Sequence, residues 1–286
     1  MYNICLSALK FKSIQIKGKF CLRIQSMKYQ FSFSLVLLVL LASITPLTQA
    51  LNDPALMLYF TFDEGNGGET TGESENKIKG TLKGKAKFVK DGKYGGAVLL
   101  EDADSQIIVP SVSQLDITKT ITMEAWIFPT EKQNDSNILG RRTAGNAGGY
   151  CIQWSGFGKN SKVETWIGLP GWQGTRNKQK IEPELNQWHH VAVTYDGKVI
   201  SQYVDGKLDA TTEFAAKIAS QDVEFHIGKA QTGLPSMIGK IDEVAIYERA
   251  LTQDEVKTDM KKVLVGTTAV DPTSKLATTW ASLKTK

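Results

Sequence analysis

The chain has 286 residues, with 34 Lys+Arg against 30 Asp+Glu and a formal charge of +4. The excess lies entirely in residues 1–50, where Lys10, Lys12, Lys17, Lys19, Arg23 and Lys28 have no acidic counterpart; without those six, 28 cations face 30 anions, a net of −2. That balance gives no basis for nucleic acid or an anionic membrane as partner. Cys151 is the single cysteine beyond residue 50, so no internal disulfide forms after it.

Residues 1–50 read as a leader. Met27-Lys28 opens a basic region, Phe31 to Ile44 is uncharged and mostly apolar, and Thr48-Gln49-Ala50 ends in a small residue. This is the layout of a signal peptide over 27–50. The apolar run of 14 residues falls short of the ~20 that a spanning helix needs. The expected product is a secreted or cell-envelope protein with no membrane insertion after cleavage. Residues 1–26 are basic and show no periodicity, as expected of sequence ahead of a true start at Met27.

From Leu56 onward, short apolar segments alternate with Gly, Asp, Asn and Lys. They predict strands at 56–62, 79–84, 86–89, 97–100 and 106–110, then a long one at Ile121–Pro129 (ITMEAWIFP). Within it Thr122, Glu124, Trp126 and Phe128 face one way, and Ile121, Met123, Ala125 and Ile127 the other. A buried Glu124 needs a partner. Further strands are predicted at 137–141, 149–155 and 162–169.

The segment Trp188–Asp209, WHHVAVTYDGKVISQYVDGKLD, is the strongest local signal. Asp196-Gly197 sits between alternating hydrophobics, and Asp205-Gly206 follows. Asp-Gly in that setting predicts tight primed hairpin turns, because Gly accepts a positive φ. Strands at 223–228 and 238–247 follow. One helix is predicted, opened by the capping box Thr252-Gln253-Asp254-Glu255, with Val256 and Met260 on one face. About a dozen strands and one short helix give an all-β, antiparallel sandwich or barrel over residues 51–262, followed by a polar tail at 263–286.

Four segments carry a family resemblance: LYFTFDEG (58–65), ITMEAWIFP (121–129), WHHVAVTYDGKVISQYVDGK (188–207) and IGKIDEVAIYERALTQDEV (238–256). Together they resemble LamG-like jelly rolls, the concanavalin A-like sandwiches related to laminin G and pentraxin modules. The resemblance spans roughly Leu56 to Met260. It implies an antiparallel two-sheet jelly roll with one short C-terminal helix, and a binding module for glycan or extracellular protein rather than an enzyme. An adhesion or structural module of a surface assembly is the alternative.

The glucanases of this fold carry acidic residues alternating on one face of a strand, a pair that retaining hydrolysis needs about 5–5.5 Å apart. No such strand is present: Asp242-Glu243 are adjacent, and Glu164 and Glu224 stand alone. His189-His190 are adjacent on a strand and face apart, which argues against one shared metal. Cys151, in GYCIQW, is expected to be a buried, inert thiol. Related jelly rolls often hold a calcium ion near the N-terminal strand, and by that resemblance Asp63, Asn76 and Asp242 are its candidate ligands here. The early loop departs from the usual Asp-x-Ser-Gly-Asn-Gly, reading GESENKIKG; turn-capping is the competing role for Asp63 and Asp242.

The ligand surface is expected in the polar, Gly-rich stretches 134–149 and 169–177. Trp172, flanked by Pro170-Gly171, would be an exposed stacking platform, with Arg141, Arg142 and Arg176 as hydrogen-bond donors.

Overall fold

The computed structural model describes residues 53–142, 148–155, 162–169, 171–219 and 222–261. The segments read from sequence as leader (1–50) and polar tail (263–286) lie outside the described residues. In chain order the strands are β1 (Leu56–Phe60), β2 (Glu69–Thr71), β3 (Lys79–Lys83), β4 (Lys87–Val89), β5 (Ala97–Leu100), β6 (Gln106–Val109), β7 (Ile121–Pro129) and β8 (Ser136–Arg142). The second half contains β9 (Gly149–Ser155), β10 (Lys162–Leu169), β11 (Gly171–Gly174), β12 (His189–Tyr195), β13 (Val199–Val204), β14 (Lys207–Glu213), β15 (Phe225–Gly228) and β16 (Gly239–Tyr247). Helix α1 (Gln253–Asp259) closes the described chain.

Two eight-stranded antiparallel sheets result. The first has the order β14-β13-β12-β7-β16-β5-β4, with β1 also paired to β16; the second has the order β11-β10-β9-β8-β15-β6-β3-β2. Strands adjacent in space are often far apart in sequence, as expected of a jelly roll. Between the sheets lies one apolar core. Ile121, Met123, Ala125 and Ile127 of β7 enter it from one side, and Tyr150, Ile152 and Trp154 of β9 from the other. The face assignment for β7 therefore holds.

The opposite face of the first sheet is also covered. Tyr59, Ala192, Tyr203, Ala245, Tyr247, Leu251 and Val256 form a second cluster there, with Val256 contributed by α1. The helix starts where expected: the Thr252 side chain accepts from the Glu255 N–H, and the Glu255 carboxylate accepts from the Thr252 N–H. Glu124 points to this side and finds His190 Nε2 at 3.1 Å.

The two Asp-Gly turns differ. At Asp205-Gly206 both residues have positive φ, 50° and 70°, and Val204 pairs with Lys207, giving the primed two-residue turn. At Asp196-Gly197 only Gly197 is positive, and Tyr195 pairs with Ile200 across a four-residue loop. The Asp196 carboxylate shapes that loop by accepting the N–H groups of Lys198 and Val199. The pairing of β16 with β7 slips between Asp242 and Ala245, with Glu243 at a φ of 51°. This bulge cancels the simple alternation expected for Asp242-Glu243, and both side chains are buried.

Candidate functional site

The alternation that sends Tyr150, Ile152 and Trp154 into the core sends Cys151 and Gln153 to the far face of the second sheet. On the neighbouring strand, Glu164 pairs with Gln153 and Trp166 with Cys151, so they share that face. A groove of about 260 Å³ opens there, lined by Asp135, Arg142, Gln153, Trp166, Arg176 and Leu234.

Each lining residue is placed by local chemistry. Trp166 pairs with Gly174 of β11, and a Cβ at Gly174 would meet the indole ring at 2.8 Å, so only glycine lets the ring lie there. Arg176 follows β11 in a turn closed by a hydrogen bond from the Lys178 N–H to the Thr175 carbonyl, with Asn177 at a φ of 62°. Asn tolerates that left-handed backbone better than most residues. The turn delivers the Arg176 guanidinium to 5.0 Å from the Trp166 ring centre, a cation–π arrangement. Its Nε and Nη2 both hold Glu164, Nη2 at 3.1 Å, and Nη2 also reaches Asp135 at 3.3 Å. Glu164 is only 1% exposed, and its hydrogen bond and charge hold the guanidinium above its ordinary pKa range. Arg142 Nη1 rests on Cys151 Sγ at 3.5 Å. Gln153, also in the lining, is 2% exposed, and its Nε2 has no hydrogen-bond acceptor among the described residues.

Of the three arginines expected at a ligand surface, Arg142 and Arg176 line one groove and Arg141 does not join them. Its side chain is buried, donating to the Leu115 carbonyl at 2.7 Å and the Val223 carbonyl at 2.9 Å, and to Asp116 at 3.1 Å. Arg141 is a strut that ties distant loops to β8, because adjacent strand residues must face apart. Trp172 lies on strand β11, opposite Gly168, and not on a loop. The groove's indole is Trp166 instead. Glu164 is not alone: Arg176 partners it, and Glu224 has His226 at 3.2 Å.

The histidines separate. His189 Nδ1 holds Asp205 at 2.9 Å, His190 holds Glu124, and His226 Nδ1 contacts Gln106 at 3.1 Å. Cys151 is fully buried, and burial pushes its thiol pKa up, the inert state.

Asp63 and Asp242 converge on the loop between β4 and β5. Asp63 accepts the Gly96 N–H at 2.7 Å; Asp242 accepts those of Lys93 and Tyr94 at 2.9 and 3.0 Å. Burial pushes Asp242 up to about 7 and Glu243 up to about 8, and the charge of Asp63 adds to both. Glu243 also accepts from the Tyr59 hydroxyl. Asn76 Nδ2 donates instead to the Met57 carbonyl at 2.9 Å. Among the described residues, no three His, Cys, Asp or Glu side chains form a group that could hold a metal ion. Nor is any helix there long and apolar enough to cross a membrane.

Residues 101–257 match a family described as the concanavalin A-like lectin/glucanases superfamily. No curated protein matches the chain in sequence. Among solved structures, domain 4 of AbnA, a GH43 extracellular arabinanase from Geobacillus stearothermophilus in complex with arabinotriose, aligns with a TM-score of 0.57 and 21% identity, over 72% of this chain and 98% of that one. The binding domain of Paraclostridial Mosquitocidal Protein 1 aligns at 0.56 and 16%, over 73% of this chain and 52% of that one. The Botulinum Neurotoxin serotype G binding domain aligns at 0.57 and 14%, over 72% and 50%. This chain therefore spans about half of the toxin domains it matches. At these identities the likeness establishes the fold.

Proposed function

This chain belongs to the concanavalin A-like lectin/glucanase superfamily, and from that premise we propose that it is an exported, non-catalytic module that binds glycan in the Gln153–Trp166 groove. The observation that carries the reading is a groove walled by an indole whose lining includes the buried Gln153, a side chain whose Nε2 has no acceptor among the described residues. Buried donors are nearly always satisfied, so one left open at a groove calls for an acceptor from outside. An indole beside polar hydrogen-bonding groups is the usual make-up of a site for a ring with an apolar face and hydroxyl edges. The neighbours support binding: one was solved with arabinotriose, and others are toxin binding domains.

Catalysis is disfavoured by the groove's own carboxylates. Glu164 and Asp135 both hold the Arg176 guanidinium. A general acid and a nucleophile must instead be presented to the glycosidic bond. The test is a glycan array with the wild-type protein and Trp166→Ala. Binding lost in the variant supports the groove; binding unchanged by the substitution, or no glycan bound by the wild type, rejects it. A protein ligand or an adhesion role is the reading that then takes over.

Calcium is a separate proposal. Its support is the convergence of Asp63 and Asp242 on the loop between β4 and β5, two carboxylates of the kind a hard divalent cation takes. The missing ligands would have to be loop carbonyls, since Asn76 turns to Met57. Melting in EGTA and in millimolar calcium decides it. A rise of several degrees with calcium is expected, and equal midpoints reject the ion.

A further inference from the structure

We propose that the groove takes one uncharged sugar ring, discriminates against acidic sugars, and uses Gln153 as its specificity-determining donor. This rests on the groove reading above and goes further, to the class of sugar.

The first argument is charge. Two guanidiniums, Arg142 and Arg176, line the groove, which at first sight invites a carboxylate. The strong mode of carboxylate recognition is the two-pronged one, in which two guanidinium N–H groups grip both oxygens. In Arg176 that edge is already taken: Nε and Nη2 grip the two oxygens of Glu164. Asp135 adds a second internal anion on Nη2. Arg142 is engaged at Nη1 by the Cys151 sulfur, and that thiol is held neutral by burial. Counted with Glu164, the charges at the groove sum to zero, Arg142 and Arg176 against Asp135 and Glu164. A ligand carboxylate would enter a compensated site, lose water and meet Asp135 at the rim, the costly arrangement for a charge.

The second argument is the open donor. Gln153 offers a neutral amide N–H from a side chain that is 2% exposed. It lies between Asn137 of β8 and Glu164 of β10 in the strand register, so the backbone fixes its place in the groove lining. A hydroxyl or ring oxygen satisfies such a donor without bringing charge. Sites built around a buried hydrogen bond discriminate strongly against ligands that cannot complete it.

The third argument is size. A volume of about 260 Å³ lies just below the ~300 Å³ at which pockets for drug-sized ligands begin. One ring fits against Trp166, with the rest of a chain left in solvent.

The experiment compares matched pairs on the wild-type protein: a neutral hexose and the uronic acid of the same configuration, and asialo and sialylated forms of one glycan. Gln153→Met and Trp166→Ala are assayed beside it, with thermal melting as the folding control. The expected results are neutral members bound at least 10-fold more tightly than acidic ones, and at least 10-fold weaker binding by Gln153→Met at an unchanged melting point. Acidic members bound equally or better, in a manner lost with Trp166→Ala, overturn the neutrality while the groove survives. Neutral binding untouched by Gln153→Met overturns the role of Gln153. Binding of no glycan overturns the groove itself. The comparison of neutral with acidic ligands needs no variant, so it stands even if Gln153→Met does not fold.

Discussion

Replacing Arg176 by Met tests how the groove is held together. Met keeps most of the aliphatic bulk against Trp166 but removes the charge and every donor. Glu164, 1% exposed, then keeps a buried carboxylate with neither of its guanidinium hydrogen bonds. Breaking a fully buried pair costs about 3–5 kcal/mol. The Arg176 side chain is 32% exposed, so water reaches its end of the pair and the cost is smaller. The working figure is about 2 kcal/mol. Urea unfolding followed by tryptophan fluorescence measures it, with an unchanged m-value showing that two-state folding persists. Adding Glu164→Gln removes the stranded charge and should restore at least half of the loss. An Arg176→Met cost below about 0.5 kcal/mol, or a double variant no better than the single, refutes the argument that this ion pair organises the groove.

Two more outcomes follow from other parts of the molecule. Gln202 is fully buried and joins the two sheets: its Nε2 donates to the Val163 carbonyl at 2.9 Å and Asp209 at 2.7 Å, while its Oε1 accepts from Thr165 and Thr175 at 2.7 and 2.8 Å. Gln202→Met strands two buried acceptors at about 1–3 kcal/mol each, so a loss of about 2–6 kcal/mol is expected in urea unfolding, and a loss under about 1 kcal/mol contradicts it. The His189–Asp205 contact sets a pH dependence. Burial pulls the His189 pKa down, but the hydrogen bond and charge of Asp205 outweigh it and the net shift is upward from 6.5; burial works the other way on Asp205, and the His189 hydrogen bond carries it below 3.8. The histidine's contribution is fully present below its unfolded pKa and is lost as pH rises through the folded value; the aspartate's is present above its unfolded pKa and is lost as pH falls through the folded value. Between pH 4 and 6 both are in force. Asp205→Asn, which still tolerates the left-handed turn, should therefore cost most in that window. Asp205 is 42% exposed, so the cost stays under about 1 kcal/mol. Melting curves for both proteins from pH 4 to 9 check this, and a gap that widens above pH 8 reverses the assignment.

Much of the fold was legible because its signals are local. Alternation in ITMEAWIFP sorted core from outer face, the Thr252–Glu255 box started the helix, and Asp205-Gly206 made its primed turn, since each depends on residues within a few positions. The same alternation, carried through GYCIQWS and KVETWIGL, would have put Gln153, Glu164 and Trp166 on one face. The Gly-Trp-Gln-Gly stretch misled because glycines read as loop, whereas Gly174 is there to let strand β11 lie against an indole. Arg141 and Arg142 show what sequence leaves undecided. They are neighbours of one residue type, yet one turns inward to carbonyls 26 and 82 residues away, and the other lines the groove. Their roles depend on which distant backbone atoms need a donor. The sequence alone determined most of the strands, the start of the helix, the Asp205-Gly206 turn and the family of the sandwich. Only the tertiary structure decided which arginines, which tryptophan and which buried amide share a groove, because strand pairing across long separations, and not local preference, brings them together.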